Sequence, residues 1–303
     1  MAEPDEPSLA DADVPAWWQR LGLPGLFDVH VHFLPPTVMR KVREQFDKAG
    51  PLIGRPWPLS YRGDDEDRVT RLRALGVRRF SALPYAHRPG IASYLNGWAA
   101  GFADVVPECL RSATFYPEDG AAAYVADLVG DGTEVFKVHV QVGNFDLLDP
   151  LLDDVWGLVA DAGTPVVVHA NSGPVGNEHT GPGPMRDLLE RHPRLTAVVA
   201  HMGAPDYAEF MALAEDFERV HLDTTMAFTY FFEEMARFPR ELLPRLVDLG
   251  EKVLLGSDFP NIPYPYAHQL ESLERLGLGE DWLRKVCWSN GVELFGSPVG
   301  PRS

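Results

Sequence analysis

The sequence of 303 residues predicts an α/β fold, and more narrowly a (β/α)8 TIM barrel. Eight short runs rich in β-branched and aromatic residues recur along the chain, and several of them are apolar without interruption. Uninterrupted runs are typical of strands that are buried on both faces, whereas half-solvated strands alternate. Most stretches between the runs space their apolar residues as helices do. Eight parallel strands that alternate with helices favour the barrel.

The predicted strands leave room between them for a helix and two loops. In chain order they cover residues 26–32, 77–83, 110–115, 134–140, 165–169, 196–201, 220–223 and 252–258. The predicted helices cover residues 64–75, 149–162, 185–191 and 208–217. In the first helix Val69, Leu72 and Leu75 share one face, and in the second Pro150 suits the first turn. A doubly wound open sheet has the same alternation, but no G-x-G-x-x-G follows any run, which weakens its dinucleotide-binding version.

Only the two ends of the chain differ in composition from the rest. We therefore predict an N-terminal extension over 1–25, one barrel over 26–295 and a C-terminal tail over 296–303. The acidic, proline-rich N-terminus lacks the basic and apolar segments of a signal peptide, and no apolar run reaches the roughly 20 residues that span a bilayer. A net charge of -17 argues against nucleic acid and anionic membranes as partners. We expect a cytoplasmic protein that acts on a small molecule.

Histidines and one aspartate end four of the predicted strands. They are His30, His32, His169, His201 and Asp258. Each residue alone has an ordinary structural explanation: a hydrogen-bonded pair or core histidine, or a helix cap in the case of the aspartate. In a barrel, however, the C-terminal ends of the strands meet at one place, where the active site lies. Three imidazoles and one carboxylate around an ion, with one position open for water, would form a catalytic metal site.

The first of these motifs, H-x-H, places both imidazoles on one face of a strand, because successive side chains point to opposite faces. Both rings can then approach one ion. Asp28 lies just upstream and is either an acceptor for one of these rings or a strand-start residue. The only two cysteines, Cys109 and Cys287, form no C-x-x-C, which argues against a thiolate metal site and a disulfide framework.

Four segments together resemble one known family. They are FDVHVH at 27–32, VVVH at 166–169, VAHMG at 199–203 and LLGSDFP at 254–260. The chain resembles the amidohydrolase superfamily, specifically its amidohydrolase 2 branch of aminocarboxymuconate-semialdehyde decarboxylase-like enzymes, over roughly 26–295. The resemblance implies a barrel of the metal-dependent hydrolase type. It implies one divalent metal, zinc or alternatively manganese, bound by His30, His32, His169 and Asp258, with His201 as the nearby acid or base.

The resemblance implies two reactions on this site. The first is hydrolysis of an amide, ester or lactone bond by a metal-activated water, whose proton Asp258 accepts while His201 positions the water or stabilises an oxyanion. The second is non-oxidative decarboxylation of an aromatic or unsaturated acid. We take hydrolysis as the leading interpretation. A catalytically silent barrel that serves as a binding protein is a third, against which the complete set of polar residues argues.

Three further residues are predicted to bind substrate: Lys137, His139 and Tyr85. Lys137 has alternatives, since it could be carboxylated to bridge a second metal or form a structural ion pair. The Gly/Pro-rich segment 171–184, which contains His179, is either a wall or lid of the site or an ordinary surface connection.

Other residues near the predicted strand ends offer weaker clues to the substrate. Arg55, Arg62 and Arg88 are equal candidates for binding a carboxylate. The aromatic residues near the strand ends would suit a planar substrate, although aromatic clusters are commonly core or interface: Phe33, Trp57, Tyr85, Phe228, Tyr230, Phe231, Phe232, Tyr264 and Tyr266. The segment 226–232 is a candidate interface of a homodimer.

Overall fold

Eight short parallel strands form the centre of the structure, a computed structural model that describes residues 8–297. They are β1 Leu26–Asp28, β2 Val77–Phe80, β3 Ser112–Thr114, β4 Val135–His139, β5 Val166–His169, β6 Ala197–Val199, β7 Val220–Asp223 and β8 Val253–Leu254. Strands β3 to β8 form one sheet in chain order, and β1 pairs with β2.

Two isolated bridges join these two sheets into a ring. Phe80 at the end of β2 bridges to Cys109 ahead of β3, and Val31 beyond β1 bridges to Phe259 beyond β8. The amide of His32 also donates to the carbonyl oxygen of Phe259 at 2.8 Å. The strand order is therefore that of a barrel, and the predicted (β/α)8 fold is confirmed over the doubly wound sheet.

Helices lie before, between and after the strands along the chain. They are α1 Val14–Arg20, α2 Pro36–Asp47, α3 Gly50–Ile53, α4 Asp65–Leu75, α5 Ala92–Val105, α6 Ala121–Gly130, α7 Val140–Gly143, α8 Asp153–Ala162, α9 Pro182–Arg191, α10 Tyr207–Asp216, α11 Tyr230–Glu233, α12 Leu243–Asp248, α13 Tyr266–Glu274, α14 Glu280–Arg284 and α15 Asn290–Phe295. The four predicted helices correspond to α4, α8, α9 and α10. Helix α4 begins after Asp64, whose side chain accepts from the amide of Asp67 at 2.9 Å as an N-cap.

Several strands end earlier than their apolar runs because the chain turns sharply. His201 and Met202 both have φ of 55°, and Asp258 has φ of 68°. A side chain in this left-handed region is unfavourable, so such residues persist where the surroundings hold them and often mark functional sites. The runs 196–201 and 252–258 consequently form only the short strands β6 and β8.

A small apolar cluster inside the barrel supports the residues above it. Val135, Val167 and Val198 belong to this cluster. Lys137 and His169 follow the first two by two residues, and a strand repeats its facing direction every two residues. The polar side chains therefore project from the same strand faces as the valines, one layer closer to the C-terminal ends.

The two ends of the chain are described in part. Within the predicted N-terminal extension, α1 packs on the barrel, with Trp17 and Trp18 buried and the Trp18 indole donating to the carbonyl of Leu75 at 3.1 Å. Residues 1–7 of that extension and 298–303 of the predicted tail lie outside the described residues, and the proposed division of the chain stays a prediction. Within residues 8–297, no helix has both the length and the apolar character needed to cross a membrane.

Candidate metal centre and active site

The C-terminal ends of the strands surround one cavity of about 600 Å³. The eight residues predicted as metal ligands, as acid or base, or as substrate-binding residues all line this cavity: His30, His32, Tyr85, Lys137, His139, His169, His201 and Asp258. The barrel thus brings together side chains that lie up to 228 positions apart in the printed sequence, from His30 to Asp258. Their individual roles follow from the contacts that each one makes.

Three of these residues form a compact group. His30, His32 and Asp258 each offer one ligand atom, and these atoms lie within 4.8 Å of one another. Asp258 Oδ1 is 3.0 Å from His32 Nε2 and 3.7 Å from His30 Nε2. The amide of Asp258 donates to the carbonyl of His30 at 2.9 Å, which ties the carboxylate to the chain that carries the two histidines.

The other ring nitrogen of each histidine is already engaged. His30 Nδ1 donates to Asp223 Oδ2 at 2.8 Å, and His32 Nδ1 donates to the carbonyl of Leu83 at 2.9 Å. The two Nε2 atoms are left to face Asp258. Burial, followed by the positive charge of Lys137, lowers the pKa of His30 to about 3. The neutral ring that results is the form in which histidine binds metals.

These residues fit a divalent metal. Burial opposes ionisation of Asp258, but the hydrogen bond from His32 and the nearby histidines outweigh it and lower the pKa of Asp258 to about 2. Two imidazoles and one ionised carboxylate, all buried, are a donor set that suits zinc and similar borderline ions.

His169 lies beside this group. Its ring stacks on His139 with centroids 3.8 Å apart, and its centroid is 4.7 Å from that of His201. Within residues 8–297, neither ring nitrogen of His169 has a hydrogen-bond partner. A ring that lines the cavity with both nitrogens available is compatible with the predicted role of fourth ligand, which stays a prediction.

His201 is held in one tautomer. Its Nδ1 donates to the carbonyl of Thr225 at 3.1 Å, and its backbone amide donates to Asp223 Oδ1 at 3.0 Å. Burial lowers the pKa of His201, so the ring is neutral and its Nε2 carries no proton. In this state His201 accepts a hydrogen bond or a proton. The tautomer therefore favours positioning of water over stabilisation of an oxyanion.

Hydrogen-bond donors lie elsewhere in the cavity wall. Lys137 is fully buried, its Nζ is 3.3 Å from His30 Nε2, and burial lowers its pKa to about 8, so it is mainly protonated at neutral pH. His139 Nδ1 accepts from the amide of Val142 at 3.4 Å, which leaves the proton on Nε2. Burial raises the pKa of Tyr85, whose hydroxyl stays protonated. The structural ion pair suggested for Lys137 is not formed with any carboxylate in residues 8–297.

Two buried carboxylates outside the cavity lining hold the site together. Asp223 was not singled out in the sequence, although it ends a predicted strand; it contacts His30 and the backbone of His201. Asp28 accepts from the amide of His30 at 3.2 Å and from the hydroxyls of Ser257 and Tyr266 at 2.5 and 2.9 Å. Asp28 therefore anchors the backbone at His30; of its two predicted roles, contact with a histidine ring is not formed within residues 8–297, and Asp28 ends β1 instead of starting it.

The structure also separates the weaker substrate candidates. Arg88 lines the cavity, whereas Arg55 and Arg62 form ion pairs with Glu234 and Asp47. Of the aromatic residues proposed near the strand ends, the cavity lining includes Trp57, Tyr85 and Phe232.

The Gly/Pro-rich segment 171–184 contributes in part to the cavity. Gly173 and Pro174 line it, so this portion of the segment is a wall of the site. His179 is not among the described lining residues.

Similarity to known proteins indicates the family to which this chain belongs. Residues 27–297 match the family model described as Amidohydrolase. The chain belongs to this amidohydrolase family. The match confirms the resemblance carried by the four sequence motifs and covers nearly the same range. It identifies an enzyme of the amidohydrolase type.

Solved structures show the same fold at low sequence identity. An uncharacterised TIM-barrel protein from Bordetella bronchiseptica is 17% identical, with a TM-score of 0.71 over 89% of this chain and 98% of that one. A 5-carboxyvanillate decarboxylase from Sphingomonas paucimobilis is 15% identical, with a TM-score of 0.61 over 90% and 99%. A dihydroorotase from Campylobacter jejuni is 15% identical, with a TM-score of 0.55 over 90% and 83%. A search of curated proteins found no match to the chain.

Proposed function

We propose that this amidohydrolase hydrolyses an amide, ester or lactone bond of a small organic substrate, with one divalent metal, most simply zinc, held by His30, His32, His169 and Asp258. The observation that carries the proposal is the convergence of the Nε2 atoms of His30 and His32 on the ionised Asp258, at 3.7 and 3.0 Å from one oxygen. A bound ion would supply a Lewis acid that polarises an oxygen of water or of the substrate carbonyl.

Side chains of the site accept the proton, orient the water and stabilise the charge that develops. Asp258 is ionised and accepts the proton that water loses as it attacks the carbonyl carbon. His201 Nε2 accepts a hydrogen bond from that water and orients it. Lys137, His139 and Tyr85 donate toward the negative charge that develops on the carbonyl oxygen, and a buried cation is effective there because little water screens it.

Decarboxylation is the second candidate, and the same donors favour it. Lys137, the His139 Nε2 proton and the Tyr85 hydroxyl would equally bind a substrate carboxylate, and a 5-carboxyvanillate decarboxylase shares the fold. In that reaction the carbon–carbon bond breaks to release carbon dioxide, and the substrate carbon receives a proton. His201 would first have to be protonated in order to deliver that proton.

Metal content and product analysis together test the proposal. We expect about one equivalent of divalent metal per chain after gentle purification, with the content reduced in His30→Asn and His169→Ala. Lactones, esters and amides should yield a new carboxylic acid together with the released alcohol or amine group, aromatic acids should remain unchanged, and Asp258→Asn should abolish the reaction.

Other outcomes of these measurements would replace the proposal. Carbon dioxide released from the acids would establish the second candidate. A metal-loaded protein that transforms none of these compounds would favour a binding barrel. Two equivalents of metal would indicate that Lys137 is carboxylated and bridges two ions.

A further inference from the structure

The cavity is positively charged although the chain as a whole is acidic. The formal net charge is -17, yet the cavity lining includes Lys41, Lys48, Arg88 and Lys137. Among the described lining residues, Asp258 is the only carboxylate. Lys137 and Asp258 lie at the buried floor, whereas the side chains of the other three cations are exposed, and they therefore lie at the mouth. A positive mouth on an acidic protein attracts anions selectively.

The fold does not use these three cations. Within residues 8–297, no carboxylate forms an ion pair with Lys41, Lys48 or Arg88. In contrast, Arg55 and Arg62, which the sequence could not distinguish from Arg88 as candidates, are neutralised by acidic neighbours. Three charges that no carboxylate neutralises thus lie at the entrance to the site, where a ligand can reach them.

Two of the cations converge from separate parts of the chain. Lys41 lies on α2, whereas Arg88 lies in the loop between β2 and α5 next to His87. Burial, and then the positive charges of Arg88 and Lys41, lower the pKa of His87, which shows that the three groups share one patch. Cations brought together without a protein carboxylate repel one another, and an anion between them would relieve that repulsion.

An apolar stripe leads from this mouth into the cavity. Val38, Val42 and Phe46 recur every four residues along α2 and therefore share one face of the helix. All three line the cavity, and the residue that α2 buries against the protein is Met39. Leu52 on α3 extends the wall and is 70% exposed. Apolar surface left open beside a site is typically covered by a ligand.

We propose that the substrate is an amphipathic carboxylate. Its apolar body lies along Val38, Val42 and Phe46, and its carboxylate meets Lys41 and Arg88 at the mouth. The bond that is cleaved lies at the floor beside Asp258, and this part rests on the proposed function. The cavity of about 600 Å³ is within the range of about 300–1,000 Å³ that holds small organic ligands.

Binding measurements with three probes of one chain length test the proposal without turnover. Octanoate, octan-1-ol and octylammonium are titrated into the purified metal-loaded protein by calorimetry. We expect octanoate to bind roughly tenfold more tightly than the alcohol and octylammonium to bind most weakly. About 500 mM salt should reduce the preference for octanoate, because it screens exposed charges.

Matched variants locate the two parts of the proposed site. Lys41→Gln and Arg88→Gln should each weaken octanoate about threefold to fivefold, in keeping with one partly exposed charge pair. Arg40→Gln removes the same charge from the exposed side of the same helix, outside the described cavity lining, and should have no effect. Leu52→Ser should weaken all three probes, whereas Val105→Ser, at a residue that is 75% exposed on α5, should not.

Two results would overturn the proposal. Equal affinity for the three probes would remove the charge preference. A carboxylate that binds at the metal instead of the mouth would keep its full affinity in Lys41→Gln and Arg88→Gln. Failure to hydrolyse any compound, with octanoate binding as expected, would overturn the proposed function alone.

Discussion

Asp223 accepts a hydrogen bond from His30 across 2.8 Å, and both side chains are buried. The other oxygen of Asp223 accepts from the backbone amides of His201 and Thr225 at 3.0 and 3.1 Å. Burial opposes its ionisation, but the contact with His30 holds the pKa of Asp223 well below its usual range. A single carboxylate therefore orients a candidate metal ligand and the backbone of the candidate acid or base.

Replacement of Asp223 by Asn should weaken metal binding by about tenfold to a hundredfold. The Asn amide group can donate to His30 Nδ1, which would move the ring proton to Nε2 and remove the lone pair that faces Asp258. Competition with a fluorescent chelator measures the affinity. Asp216→Asn is the control, because Asp216 forms an exposed ion pair with Arg186 and should keep wild-type affinity. Unchanged affinity in Asp223→Asn would show that His30 is oriented by other contacts.

Gly256 should be intolerant of even one added methyl group. A Cβ at Gly256 would collide with Thr225 Oγ1 and lie 2.9 Å from the Cβ of His30. We expect Gly256→Ala to lower the free energy of unfolding by about 1–3 kcal/mol and to reduce metal affinity, because His30 must shift. Urea unfolding and metal titration measure the two effects.

Gly157→Ala is the matched control for this substitution. Gly157 lies within α8, and a Cβ there would meet nothing within 4 Å. Alanine is favoured over glycine in a helix, so this variant should be more stable by about 0.5–1 kcal/mol. If both substitutions changed the free energy of unfolding and the metal affinity equally, Gly256 would not be a position where the backbone closely approaches the site.

The order of strands in the barrel was predictable because each strand has a local signature. The run 220–223 is strand β7 without adjustment. The run 26–32, in contrast, pairs as a strand only to Asp28, and its later residues bond to segments beyond β8. Where a ladder ends depends on partners more than 200 residues away in the sequence, from His32 to Phe259, and no local pattern contains that information.

The candidate ligands were predictable for the same reason, since they end apolar runs. Asp223 also ends such a run, but its role depends on its contact with His30, which lies 193 positions away, and no local pattern indicates that contact. The sequence could not show that Arg88 stays available to a ligand while Arg55 does not. That difference depends on Glu234, which forms an ion pair with Arg55 from 179 positions away. The tautomers of the histidines required the contacts of their second ring nitrogens, which only the folded structure supplies.

Lys137 should lower the free energy of unfolding while it contributes to catalysis. It is fully buried and has no ion-pair partner in the described residues, and a buried unpaired charge is destabilising. We expect Lys137→Met to raise the free energy of unfolding by about 1–3 kcal/mol. Metal content should be retained, and product formation should fall by about a hundredfold or more because a donor to the developing charge is lost. Urea unfolding, metal analysis and product formation are the three measurements.

Lys252→Met is the control for Lys137→Met, because the ammonium group of Lys252 has hydrogen-bond partners in the fold. The Lys252 ammonium donates to the carbonyl oxygens of Ala214 and Phe217 at 2.6 and 2.9 Å, so methionine would leave both without this donor. The same substitution should therefore lower stability there by about 1 kcal/mol or more. A loss of stability in Lys137→Met, with activity retained, would mean that Lys137 is a structural residue.

His268 should make the fold sensitive to mild acid. It is 1% exposed, and its Nε2 accepts from the amide of Tyr230 at 3.1 Å. Burial lowers its pKa to about 4, although Glu271 acts in the opposite direction. As the pH falls below about 6.5, the unfolded chain takes up this proton before the folded chain does. The contribution of His268 to stability is therefore complete above that pH and is lost between about 6.5 and 4.

At pH 5 this effect should lower the free energy of unfolding by about 2 kcal/mol, because the pKa of His268 is about 6.5 in the unfolded chain and about 4 in the folded chain. Urea unfolding of wild type and His268→Gln at pH 7.5 and 5 measures it, because the Gln oxygen can still accept from Tyr230 but does not titrate in this range. His221, another histidine whose pKa burial lowers to about 4, contributes equally to both proteins and cancels in the difference. The wild type should lose more stability than the variant. Parallel pH curves would mean that His268 takes up its proton equally well in the folded chain, and that the pH sensitivity arises at other buried groups.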